Sequence, residues 1–428
     1  MVTLPRRWRI LTQYYPPEIG AAPVRLHALA RELVKRGLDV DVVTAFPSYP
    51  QGRIYRGRGI SWHVRETIEG VRVLRLPIIP GTGRSARVRL TNYLSFTVSA
   101  ALPALLGNCD VLFVESRPTL GVVALLLKWL RGIPYIYNVA DLHLEAAEEC
   151  GILENRLLQQ IAARLEAYFL RKCWKVSTVS PAFVRHFHAL GKPAEQVTFL
   201  PHGVDTHFLQ PQPPDSEMQQ RWCQGKRLFL YAGTHGYIYG VDTLLHAAAR
   251  LRARSELRFL IVGEGPERAR LMNLADQLRL SNVVFADALP YKEMPRLYSI
   301  AYASLATLRN TPLAESMRLA KILPSLSCGV PVIFSGSGES GKLIRAHRCG
   351  LVVPPESPDQ FAQAIESLAA APLLRTRMAD NARQLALRHY DWSIVVDNWL
   401  AELGWEGALT ATRDHPQMEF AAAEWRAT

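Results

Sequence analysis

Short apolar runs alternate with longer segments of helical period from residue 9 to about residue 403. Residues 9–12 form the first run. Leu26, Leu29, Ala30 and Leu33 then recur at helical spacing until Gly37 stops them, and residues 40–44 form the next run. This predicts a β-α-β unit, and the loop after its first strand is where parallel sheets meet their ligands. Residues 62–66 and 71–76, joined through Glu69-Gly70, predict a hairpin. Residues 90–106 are apolar on most faces and predict a helix. Strands are expected at 111–114, 135–139 and 176–179, with helices at 118–130 and 154–172. The alternation resumes with strands at 228–232, 259–262, 282–285, 303–306, 330–334 and 350–353. Helices at 241–251, 358–371, 373–389 and 392–403 accompany them. Such alternation predicts an α/β protein built of two Rossmann-like, doubly wound sheets that leave a cleft between them.

The stretch 210–216, Gln-Pro-Gln-Pro-Pro-Asp-Ser, is the most linker-like in the chain and marks the expected boundary. The expected organisation is an N-terminal, acceptor-side domain over 1–210 and a donor domain over 211–390. A helix at 391–405 is expected to return to the first domain, and 406–428 to be loosely ordered.

Charge and cysteine usage narrow the class. Lys plus Arg total 50 against 38 acidic residues, a net +12, which favours phosphates, nucleic acid or an anionic membrane face as partners. Nucleic acid is set aside because no RNA-binding signature accompanies the arginines. Six scattered cysteines without a Cys-x-x-Cys pair predict neither a zinc ribbon nor a disulfide framework, and fit a reducing, cytoplasmic compartment. The basic start Arg6-Arg7-Trp8-Arg9 leads into an apolar run too short for a signal peptide, and no run of 18 apolar residues predicts a membrane span. Asp39-Val40-Asp41 has the form of a metal-binding Asp-x-Asp, but its side chains alternate at a strand entry, so no metal is expected. Arg53, Arg56 and Arg58, then Arg84, Arg87 and Arg89 ahead of the apolar segment 90–106, fit either a membrane-surface patch or a core helix with a solvated start.

Candidate chemistry lies at strand ends. Gly20 and Ala21 follow the first strand, where small residues let a phosphate approach the backbone or simply form a tight turn. Asp141, His143 and Glu145 follow the strand at 135–139 and are the candidate catalytic residues, a hydrogen-bonded structural role being the alternative for His143 alone. In the second half, Gly233, His235 and Gly236 lie in a glycine-rich loop, and Glu264 lies in Gly263-Glu264-Gly265-Pro266. The strand at 330–334 opens into Ser337, Gly338 and Glu339, and Ser340 is expected to cap the next helix. An apolar strand leading to a Gly/Ser loop and a helix N-terminus can hold phosphate.

Together these pieces resemble glycosyltransferase family 4, retaining enzymes with the GT-B architecture. The nearest subgroup is bacterial enzymes of exopolysaccharide and O-antigen synthesis, N-acetyl-fucosamine transferases among them. The resemblance rests on Gln13-Tyr14-Tyr15-Pro16-Pro17-Glu18-Ile19-Gly20-Ala21, Pro201-His202-Gly203-Val204-Asp205, Gly263-Glu264-Gly265-Pro266, Gly329-Val-Pro-Val-Ile333 and Gly350-Leu-Val-Val-Pro354. It implies transfer of a sugar from a nucleotide-diphosphate sugar, a UDP-sugar first, to a saccharide or lipid-linked acceptor, without cofactor or metal. The implied place is the inner face of the membrane, on an anionic surface. Lys321 matches the subgroup's lysine on the donor diphosphate, while Asp141 and Glu145 match acids of an Asp-Leu-Trp-Pro-Glu motif in which His143 and Leu144 depart. The glutamate that usually meets the donor ribose falls on Pro324, and the usual basic residues fall near Thr234 and Tyr239. A nucleotide-sugar epimerase or hydrolase, or a non-catalytic partner subunit on the same fold, are the alternatives.

Overall fold

The computed structural model describes residues 5–18, 20–49, 51–55, 61–81, 86–140 and 156–405. The chain divides into two units, Met1–Pro201 with Val395–Thr428, and His202–Ile394.

In unit 1 the elements run β1 (Arg7–Leu11), α1 (Ala21–Lys35), β2 (Asp39–Ala45), β3 (Val64–Ile68), β4 (Val71–Leu76), α2 (Ala86–Leu106), β5 (Val111–Glu115) and α3 (Pro118–Arg131). They continue with β6 (Tyr135–Val139), α4 (Arg156–Lys172), β7 (Lys175–Thr178), α5 (Pro181–Ala189) and β8 (Val197–Phe199). The strands form one sheet of order β3-β4-β2-β1-β5-β6-β7-β8, parallel except for β3 on the edge. Central strands buried on both faces explain the unbroken apolar runs at β5 and β6. The β3–β4 hairpin turns through Glu69 (φ 47°) and Gly70 (φ 83°), the two-residue turn whose twist matches its strands. The sheet grows outward from β1 in both directions, through α1 to β2 and later through α2 to β5. Right-handed crossovers then place those helices on opposite faces, leaving a crevice between the ends of β1 and β5.

Unit 2 repeats this plan. Its elements are β9 (Arg227–Ala232), α6 (Asp242–Arg250), β10 (Leu257–Val262), α7 (Arg268–Gln277), β11 (Val283–Ala286), α8 (Met294–Ser299) and β12 (Ala301–Thr307). After these come α9 (Pro312–Ser316), α10 (Ile322–Ser327), β13 (Val332–Ser335), α11 (Gly338–Ala346), β14 (Gly350–Val353), α12 (Pro358–Ala370) and α13 (Pro372–Leu385). The all-parallel order β11-β10-β9-β12-β13-β14 puts the corresponding crevice between the ends of β9 and β12. Two apolar cores cover its faces, one around Leu230, Leu260 and Phe334, the other around Phe229, Phe259 and Ile333.

The last helix, α14 (Trp392–Glu402), belongs from Val395 onward to unit 1. Its Trp399 packs edge-on to Trp8 at 5.8 Å and to Phe113 at 5.7 Å, and donates its indole N–H to the Thr198 hydroxyl. Asp397 accepts from Arg36 of α1 at 2.7 Å.

Two expectations need correction. Unit 1 ends at Pro201, not at 210, because Val204 and Leu209 are buried in the core of unit 2 and Val204 bridges Asp391 within that unit. Ser340 is not the cap of α11; Ser337 holds that position. Ser340 is buried one turn in, where its hydroxyl donates to the Met317 carbonyl and accepts from Leu319 N–H. It anchors the segment that presents Lys321.

Candidate functional site

In unit 2, the crevice is built from the loop after β9. Gly233 N–H donates to Val262, His235 N–H to Glu264 and Glu267 N–H to His235, so this loop and the one after β10 lock together. The contact needs glycine. A Cβ on Gly263 would stand 2.0 Å from the Gly233 carbonyl oxygen. Beyond β12, Arg309 pins the far end of the loop. Its Nε donates to Tyr237 O at 2.9 Å and its guanidinium pairs with Asp242 and Glu356, each at 2.9 Å.

Lys321 reaches into this loop just before α10. Its Nζ donates to the Tyr231 hydroxyl at 2.9 Å and lies 3.2 Å from the centroid of the Tyr239 ring. A Cβ on Gly233 would be 3.3 Å from Nζ. Loss of water around the ammonium pulls its pKa well below the usual lysine value. His235 is fully buried beside it, with neither ring nitrogen hydrogen-bonded. Burial, then the charges of Arg268 and Lys321, pull its pKa down to about 4. The arrangement is a lysine and a histidine both held away from water, against backbone made accessible by glycine. An incoming anion would favour the charged form of Lys321 and meet little competing solvent.

The other donor-side candidates are placed differently. Gly236 accepts from Tyr239 N–H, closing the glycine-rich loop. Glu264 is exposed and its carboxylate pairs with Arg268 at 3.3 Å, so only its backbone joins the crevice. Ser337, Gly338 and Glu339 open α11. Gly338 has φ +68°, and a Cβ there would lie 1.9 Å from Glu315 O, so no other residue fits. Ser337 Oγ donates to Glu315 at 3.4 Å, while buried Glu339 faces Arg318 at 3.7 Å and Lys342 at 3.6 Å. Pro324 sits in the first turn of α10, where a missing N–H costs no hydrogen bond.

In unit 1, Gly20 and Ala21 open α1. The Glu18 carboxylate accepts from Tyr15, Ser48 and Tyr49 N–H, tying the loop after β1 to the loop after β2. Tyr14 lies 5.3 Å from the Tyr49 ring. Across the crevice, Arg117 follows β5 with its guanidinium carbon 4.8 Å from the Tyr14 ring centre and 5.0 Å from that of Tyr93 on α2. Asp141, His143 and Glu145 lie outside the described residues. Asp39 and Asp41 are engaged by Arg72 and Arg9, and no cluster of three metal-ligating side chains occurs among the described residues. Tyr231, Tyr239, Arg309, Tyr14, Tyr93 and Arg117 are the residues that sequence reasoning did not single out as site residues. Tyr14, Arg117 and Arg309 sit two or three residues past a strand end, Tyr231 lies within β9, Tyr239 in a single turn after it and Tyr93 on α2, and only the strand-end position is a readable signal.

Two family models match consecutive parts of the chain: a glycosyl transferase 4-like domain over residues 20–203 and glycosyl transferases group 1 over residues 215–385. The chain belongs to glycosyltransferase family 4. It is 25% identical over 410 residues to an Escherichia coli (strain K12) protein named as a colanic acid biosynthesis glycosyl transferase, covering 91% of this chain and 97% of that one. In fold it is similar to sucrose-phosphate synthase from Thermosynechococcus elongatus, with TM-score 0.75 and 18% identity over 95% of this chain and 100% of the other. It is also similar to the Anabaena protein HepE, solved in complex with UDP-glucose, with TM-score 0.69 and 17% identity over 93% and 99%. The glycosyltransferase therefore has the GT-B fold, and its two crevices are those of the family's two Rossmann-like domains.

Proposed function

We propose that this glycosyltransferase moves a hexose from a UDP-sugar to a lipid-linked saccharide, with retention of configuration, in cell-surface polysaccharide synthesis. The observation that carries the reading is Lys321, enclosed by Tyr231 and Tyr239 against Gly233. Charge builds on the departing diphosphate as the glycosidic bond breaks. A desolvated ammonium and unspent backbone N–H groups at the start of α11 suit that charge, and neither needs a metal or cofactor. The relative solved with UDP-glucose supports the choice of nucleotide. The catalytic role of Asp141, His143 and Glu145 on the acceptor side is part of this proposal.

The lipid side of the reading rests on α2. This helix is apolar on most faces: Phe96, Ala100 and Ala104 enter the core, while Leu90, Leu94, Val98, Leu102 and Leu106 face water. Val98 is 75% and Leu106 73% exposed. The i, i+4 ladder runs about 24 Å along the helix. Arg131 donates to the carbonyls of Leu105 and Gly107, which brings exposed Trp129 and Leu130 to the same end. A groove of about 1170 Å³ lies alongside, lined by Trp62, Ile79, Val98, Leu102 and Leu106 among others. Apolar side chains edged by Arg87 and Arg89 match an anionic bilayer surface at the inner face of the membrane. No helix among the described residues is long and apolar enough to cross a membrane.

The test is transfer of radiolabelled sugar from UDP-sugars to membrane lipid extract, paired with thermal-shift measurements using a panel of nucleoside diphosphates. Label in the lipid phase, with UDP stabilising the fold, is the expected result. Release of free sugar instead would mean a hydrolase, and UDP binding without turnover would mean a non-catalytic subunit.

A further inference from the structure

Arg117 is the unit 1 residue whose surroundings the donor reading leaves unused. It stands two residues past β5, on the β5 side of the crevice between β1 and β5, where ligands of doubly wound sheets bind. Tyr14 approaches from the β1 side and Tyr93 from α2, with ring centres 4.8 Å and 5.0 Å from the guanidinium carbon. Aromatic contacts hold the guanidinium in place without neutralising its charge, and one hydrogen bond joins it to Tyr93. Its Nε is buried with no hydrogen-bond partner. Glu115, the nearest carboxylate in sequence, accepts instead from the Thr12 hydroxyl at 2.7 Å, and Arg117 forms no ion pair among the described residues. A guanidinium fixed between two rings, kept charged by the nearby Glu115 charge and a hydrogen bond with Tyr93, and with its Nε unpartnered, is suited to receive a tetrahedral oxyanion.

We infer that Arg117, framed by Tyr14 and Tyr93, binds the phosphate or diphosphate group of the acceptor. The inference rests on the lipid-linked acceptor of the proposed function. It adds the group on that acceptor that unit 1 recognises. The helix supplies the link: Tyr93 shares one turn of α2 with Leu90 and Leu94, which face outward. A membrane lying against that ladder would therefore present its phosphates within about a helix diameter of Arg117. Arg117 is a positioning residue here, holding the acceptor while the transfer occurs elsewhere on it.

The test uses the full chain with the donor site saturated by UDP, so that a second diphosphate reports on another site. Inorganic pyrophosphate, and separately farnesyl diphosphate in neutral phosphatidylcholine vesicles, are titrated against wild type, Arg117→Gln and Arg117→Lys. Vesicles lacking the diphosphate serve as the blank. The expected result is farnesyl diphosphate binding that weakens at least tenfold in Arg117→Gln and less in Arg117→Lys, with UDP affinity unchanged in both. Equal affinity in wild type and Arg117→Gln overturns the inference. Pyrophosphate binding as tightly as the vesicle-borne ligand overturns the lipid source and assigns the site to a soluble phosphate. If Arg117→Gln fails to fold, Arg117→Lys carries the comparison, since it keeps the charge and loses the planar fork. Absence of UDP binding in wild type is a separate failure, that of the donor assignment.

Discussion

The two units share one strand order around their crevices and fill them with opposite kinds of residue. Unit 1 lines the ends of β1 and β5 with Tyr14, Tyr49, Tyr93 and Arg117. Unit 2 lines the ends of β9 and β10 with Gly233, Gly236, Gly240 and Gly263, and encloses Lys321 with Tyr231 and Tyr239. Large rigid side chains make a surface of their own, able to meet ligands of varied outline. Glycine gives the surface over to backbone, which can approach a diphosphate only where nothing stands in the way. Under the proposed function, the same scaffold would serve a variable acceptor at one switch point and a constant diphosphate at the other, with the side chains making the difference.

The comparison breaks most visibly at Lys321. Lys321→Ala should lower kcat/KM about 10²–10³-fold, the usual cost of losing one such contact, while thermal unfolding of unit 2 stays near wild type. Steady-state kinetics beside a melting curve checks this; unchanged turnover would make Lys321 a packing residue.

Next in size is the acid response of unit 2. His235 has a folded pKa of about 4, below its ordinary 6.5, so the unfolded chain binds more protons between those values. The stability that neutral His235 permits is complete above pH 6.5 and is lost as pH falls toward 4, up to ~3 kcal/mol. His235→Phe should flatten that loss in urea titrations across the range. An identical pH profile in the variant would show that the histidine is not the responsible group.

A third effect is purely steric. Gly338→Ala should destabilise unit 2 by about 1–3 kcal/mol, because φ +68° and the Glu315 carbonyl both oppose a side chain; denaturant midpoints measure it. The corresponding change in unit 1, Gly20→Ala, meets only ordinary contacts near 3.5 Å and should be close to neutral. Equal losses at both positions would erase the distinction between the two crevices.

The smallest effect concerns α2. Arg87→Glu should weaken sedimentation with anionic vesicles by about 1 kcal/mol, and raised salt should weaken wild type similarly. Val98→Glu with Leu102→Glu should remove the salt-resistant remainder. Binding indifferent to all three changes would return α2 to an ordinary core helix.

Much of this arrangement was readable beforehand where a local rule applied. Glu69-Gly70 announced its hairpin because a tight turn needs left-handed backbone, and segment 90–106 announced a helix apolar on most faces. Lys321 stood out only through the family resemblance. Tyr231 and Tyr239 did not stand out, because their roles come from converging on Lys321 in space rather than from spacing. Arg117 escaped for the same reason, its two tyrosines lying far apart in the chain. Ser340 misled because a serine near a helix start usually caps it, whereas here a buried carbonyl outcompeted that role. The proline-rich stretch at 210–216 marked flexibility in composition, but burial of Val204 and Leu209 moved the true division upstream.

The seat of Trp399 against Trp8 and Phe113 also has a consequence for the order in which the protein is made. Residues 7–11 leave the ribosome well before the helix that covers them. All of His202–Ile394 is produced in between, about 10–40 s at ordinary rates of translation. Throughout that interval the nascent first unit carries an uncovered indole and phenyl ring, a ready target for holding chaperones, while the second unit emerges with its own core whole.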